Sequence, residues 1–75
     1  MRLQVIGYTL YHSHDGNSFV DLQLENGDVE PLMYGRNDID RFAALCTILL
    51  NIRIGVYYII DQKTIVCADT IMHNT

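Results

Sequence analysis

The stretch from Phe19 to Val29 constrains the fold most, because it alternates strictly and then stops at a turn. Val20, Leu22 and Leu24 point one way while Asp21, Gln23 and Glu25 point the other, the period of a strand with one wet face. Asn26-Gly27 follows, a dipeptide suited to the positive φ angles of a type I′ two-residue hairpin loop. Such a loop sets Leu24 near Val29 and makes residues 28 to 34 the antiparallel partner. Pro31 has no amide hydrogen for a ladder, so this partner lies at an edge, or Pro31 marks its outward side.

The remaining segments extend the pattern. Residues 3 to 12 form a strand with Leu3, Val5 and Tyr11 on one side and Ile6, Tyr8 and Leu10 on the other, apolar enough on both faces to be central. His12 to Ser18 is dense in turn residues and closes a hairpin. Asn37 can cap a helix over about Asp38 to Leu50, with Asp38 and Asp40 opposing the positive end of its dipole. Ile39, Phe42, Ala43, Cys46, Leu49 and Leu50 make its apolar stripe, Leu45 and Ile48 widen the flank, and Asp40, Arg41, Ala44 and Thr47 remain for water. Asn51 is suited to end the helix in a left-handed conformation. The β-branched and aromatic run Ile52 to Ile60 predicts a fourth strand, turned back by Asp61-Gln62-Lys63 into a fifth over Thr64 to Ala68.

The fold class is therefore α+β: a small antiparallel sheet in the order β-β-β-α-β-β, with one helix packed across one face. A chain of 75 residues has room for one core, so residues 1–75 read as a single domain with 69–75 as a tail prone to fray. Folding at this size buries only about 60% of the surface that the unfolded chain exposes, which makes a supplement to the core valuable. Hydrophobic residues are 49% of the chain, and one helix cannot cover both faces of a five-stranded layer. The uncovered face needs a partner, and the simplest is a second copy, since a two-fold contact needs one self-complementary patch. Tyr8, Tyr57, Tyr58 and Ile59 on the sheet, and Leu45 and Ile48 on the helix flank, are the candidate interface. The plainer reading is that the tyrosines finish a half-buried sheet with their hydroxyls in water.

Charge narrows the partners. Nine acidic residues against five basic ones give a net charge of −4, and the scattered cations disfavour direct nucleic-acid binding. Asp21, Glu25 and Glu30 form an acidic edge around the hairpin, either a solvated face or a docking surface for a larger protein with a basic surface. No segment has the apolar length of a membrane span or the apolar block of a signal peptide, so the expected place is the cytoplasm.

Candidate chemistry is sparse. His12 and His14 alternate as two metal ligands on one strand face would, but no third ligand has a recognisable spacing and a polar turn explains them as well. Neither a metal nor a cofactor is expected. Cys46 and Cys67 lie in apolar settings and read as reduced core thiols. Gly35 to Arg41 opens the helix, where backbone amides could hold an anion with Arg36, Asn37, Arg41 and Tyr34 around it, although Asp38 and Asp40 already neutralise that end. The reading that follows is a non-enzymatic acidic homodimer that occupies a surface of a larger protein, an inhibitor or regulatory subunit of the kind phages and mobile elements encode. The alternative is a binder of an anionic or nucleotide ligand at the helix entrance.

Overall fold

Strand β1 (Arg2–His12) is the spine of the fold, and a computed structural model describes it with the rest of residues 1–68. Its first residues, Arg2 to Gln4, pair with β4 (Val56–Ile59), and Val5 to His12 pair with β2 (Ser18–Leu24). With β3 (Val29–Tyr34) outside β2 and β5 (Thr64–Cys67) outside β4, the antiparallel sheet has the order β3-β2-β1-β4-β5. A turn of 3₁₀ helix (Arg36–Asp38) and helix α1 (Ile39–Leu49) lie between β3 and β4. The expected α+β class and element order are those of the structure.

A bulge at Ile6 corrects the expected facing of β1. The register passes from Val5 opposite Leu24 directly to Gly7 opposite Gln23, so Ile6 is an extra residue. Everything beyond it changes side: Val5, Tyr8 and Leu10 now lie opposite Leu24, Leu22 and Val20 on the face that meets the helix. The core on that face contains Val5, Val20, Leu22, Leu24, Val56 and Tyr58 from the sheet and Phe42, Leu45 and Leu49 from the helix. Burying apolar side chains this fully contributes about 1.5–3 kcal/mol each.

Several local expectations change. The β2–β3 loop is not type I′: the Gly27 amide donates to the Leu24 carbonyl at 2.9 Å, as does the Leu24 amide to Asp28, and only Gly27 has positive φ, at 92°. This is a three-residue loop closed by a glycine bulge, and it places Val29 opposite Gln23 rather than Leu24. Asn37 lies within the 3₁₀ turn, and Asp38 occupies the position before α1 with no side-chain cap bond.

The helix also rolls. Phe42, Leu45 and Leu49 are its buried residues, whereas Ile39 and Leu50, expected inside, are 55% and 77% exposed. The seam is centred on Leu45, because the helix packs against β3 and β5. Beyond the helix, Ile52 to Ile54 are turn, not strand: the amides of Ile54 and Gly55 both donate to the Asn51 carbonyl, at 2.9 and 3.0 Å. Asn51 does not adopt a left-handed conformation; Gly55, with φ of 142°, redirects the chain into β4.

The face away from the helix is divided rather than uniformly apolar. Gln4, Thr9, Asp21 and Gln23 form a polar centre. Tyr11 stacks on Phe19 at one end, with centroids 5.0 Å apart, and Tyr57 lies under the Arg2 guanidinium at the other, 4.5 Å from its centroid.

Candidate functional site

Residues of one helix flank, the end of β3 and the β4–β5 turn border an open cleft that carries most of the candidate chemistry. Arg41, Ala44, Leu45 and Ile48 recur every three or four positions and so line one side of α1. Leu32 and Tyr34 come from β3, and Lys63, Thr64 and Ile65 from the turn and the start of β5, around a volume of about 340 Å³. The floor is apolar through Leu32, Leu45, Ile48 and Ile65. The rim is polar through Tyr34, Arg41 and Lys63.

Both cations are exposed, and the single ion pair among the described residues is elsewhere, between the Met1 amino group and Asp61 at 3.3 Å. Tyr34 leans on Phe42, with centroids 6.0 Å apart. Burial raises its phenol above the ordinary tyrosine value, Arg41 opposes that shift, and Cys46 adds to it. The hydroxyl therefore stays a donor and acceptor across the neutral range.

Of the four residues expected around an anion, Tyr34 and Arg41 share this cleft and Arg36 and Asn37 do not. The 3₁₀ turn is the reason, since it carries Arg36 and Asn37 one turn ahead of α1, where both are exposed. Arg36 lies instead beside Gly16 of the β1–β2 turn. Lys63 was absent from the expected set because it is 22 positions from Arg41 and belongs to the last hairpin.

The expected interface residues occupy quite different settings. Leu45 and Tyr58 are core, 4% and 2% exposed, so neither offers a surface to a partner. Ile48 lines the cleft, Tyr8 is half-buried against the core, and Tyr57 and Ile59 are half-buried on the outer face. The acidic residues diverge: Asp21 is on the outer face, Glu25 accepts from the Gln4 amide, and Glu30 turns inward to accept from the Tyr58 hydroxyl at 3.2 Å.

His12 bonds through Nδ1 to Ser18 Oγ at 3.0 Å and presents its ring to Phe42, 5.6 Å between centroids. His14 is exposed, and His73 lies outside the described residues. Among the described residues no three His, Cys, Asp or Glu side chains gather as a metal site would need. Cys46 is half-buried and Cys67 buried, both as free thiols. No helix among the described residues is long and apolar enough to cross a membrane.

No family model, curated protein or solved structure matches the chain. The remaining feature is the far half of β1. Beyond Gln4 its second edge has left β4, and among the described residues no strand pairs there with Gly7 to His12. Residues 5 to 11 carry no charge, and Ile6, Leu10 and Tyr11 are exposed. Its signal in the sequence is a charge-free run longer than β4 can pair, which becomes visible once β4 is cut to four residues.

Proposed function

We propose that this chain is a non-enzymatic interaction protein that works as a homodimer and, in that form, occupies a surface of a larger protein. The observation that carries this reading is the open half-edge of β1. Proteins guard such edges with charge, proline or brevity, because free amides and carbonyls recruit other strands. The β3 edge has Pro31 with Asp28 and Glu30, and the β5 edge is four residues long. Among the described residues the β1 half-edge has none of these guards.

A second copy is the occupant that suits it. Antiparallel pairing about a two-fold centred on Thr9 sets Thr9 against its own counterpart and Tyr8 against Leu10 of the second copy. Threonine pairs are favourable across strands, and Tyr8 and Leu10 add apolar contact on either side. The run is uncharged, so a chain of net charge −4 meets itself without repulsion along this line. Asp21, opposite Thr9, flanks the axis, and the tip of the β2–β3 hairpin, with Glu25 and Asp28, is left for a partner with a basic surface.

Sedimentation of the full chain tests the reading. The expected result is a dimer at tens of micromolar, dissociated by Thr9→Glu, kept by Thr9→Val, and restored when Thr9→Glu is mixed with Thr9→Lys. Thr9 is exposed, so circular dichroism should report the same fold for each variant. A chain that sediments as a monomer removes the homodimer, and a dimer indifferent to Thr9→Glu removes the β1 edge.

A further inference from the structure

We propose that the cleft between α1, β3 and the β4–β5 turn binds a small monoanion with an apolar body, a carboxylate on a short aliphatic or aryl frame. This goes beyond the dimer reading and does not depend on it, since no residue of the cleft lies on the β1 edge.

Composition of the walls selects the ligand. Most small-molecule sites are apolar with a few placed polar groups, and this cleft has an aliphatic floor of Leu32, Leu45, Ile48 and Ile65 under a rim of Tyr34, Arg41 and Lys63. Two of the chain's five basic residues border this cleft, on an acidic protein, and among the described residues neither makes an ion pair. Arg41 offers a planar fork that matches a carboxylate, Lys63 a compact second charge, and the Tyr34 hydroxyl a neutral donor.

Charge argues against polyanions. A volume of about 340 Å³ is within the range of ligand sites and accommodates a short aliphatic or aryl body. A nucleotide would bring several negative charges to a chain of net charge −4, against two cations. An inorganic anion would leave the aliphatic floor unused.

The backbone supports the placement of the second cation. Lys63 holds a left-handed φ of 50°, which a lysine adopts only where the surrounding turn imposes it. The turn donates from the Lys63 amide to the Ile60 carbonyl at 3.3 Å. From this turn Lys63 borders the cleft on one side and, on the other, the hollow lined by Asp28, Glu30 and Tyr58.

Titration of the full chain with octanoate, followed by amide and arginine side-chain NMR shifts, tests the proposal. Saturable shifts are expected at Arg41, Leu45, Ile48 and Ile65 in the millimolar range or below. Arg41→Gln should weaken binding at least about tenfold, as loss of a charge-assisted contact does, and Lys63→Asn, which tolerates the same φ, should weaken it as well. Octanamide, with the same tail and no charge, should leave the cleft unshifted, and inorganic phosphate should give no saturation. The proposal is overturned if octanoate does not saturate, if octanamide binds equally, or if the Arg41→Gln, Lys63→Asn double variant binds as the parent does. Both side chains are exposed, so these variants keep the fold.

Discussion

The hydroxyl of Tyr58 on β4 donates to the carboxylate of Glu30 on β3, 3.2 Å away, although β2 and β1 stand between those strands in the sheet. Both side chains lie on the core-facing side of the sheet, where they border one hollow with Leu3 and Leu24. The bulge at Ile6 lies in β1 between them, and an extra residue bends a strand and increases its twist. One bond thus closes the open side of the fold.

Removing that hydroxyl should weaken the closure. Tyr58→Phe keeps the ring in the core and deletes only the donor, leaving a half-buried carboxylate to find water instead. A loss of about 1–2 kcal/mol is expected for a bond to a charged acceptor, read as a lower urea midpoint at unchanged slope. A variant as stable as the parent would show that the closure rests on packing alone.

Alkali should act through the same residue. Burial first, then the charge and the hydrogen bond of Glu30, raise the Tyr58 phenol above its ordinary value of 10.0, and Tyr34 is raised chiefly by burial. The folded chain then holds these protons more tightly than the unfolded one, so stability is fully present below pH of about 10 and falls as pH rises beyond it. A urea midpoint series across that range should show the fall, and Tyr58→Phe should make it shallower. An unchanged slope in the variant would assign the effect to other groups.

Two turn residues should respond to glycine in opposite ways. A Cβ on Gly55 would sit 3.2 Å from that of Ala68 and 3.3 Å from the Tyr57 ring, at a φ of 142° that side chains avoid, so Gly55→Ala should cost about 1–3 kcal/mol. Lys63→Gly relieves a left-handed φ of 50° and should hold stability or raise it by up to about 1 kcal/mol. Thermal unfolding of the pair distinguishes these signs.

The roll of the helix gives a sharper contrast between neighbours. Leu49 is 0% exposed and its truncation to Ala should cost about 2–5 kcal/mol through lost burial and a cavity. Leu50, one residue on, is exposed, and Leu50→Ala should stay within about 0.5 kcal/mol in the absence of a partner. Equal losses at both positions would mean that Leu50 is covered in solution.

The segments themselves were legible in the sequence. Alternation in β2, the glycine after Asn26 and the apolar spacing of α1 are local signals, each decided by backbone sterics within a few residues. For that reason the element order could be stated from the chain alone, and Pro31 pointed to β3 as an edge strand or to its own outward side. Tyr34 and Arg41 were also legible as neighbours of the helix start, being seven residues apart.

Tertiary structure decided what those segments meet. Which stripe of α1 is buried depends on where β3 and the last turn lie, and no period in the helix encodes that position. The Ile6 bulge reverses the facing of β1 through its pairing with β2, and the placing of Arg41 and Lys63 around one cleft and the bond from Tyr58 to Glu30 depend on how the whole chain packs. Local torsional preferences are set residue by residue, whereas strand facing, helix roll and the cleft minimise the free energy of all the packed surfaces together, and only the folded chain contains that sum.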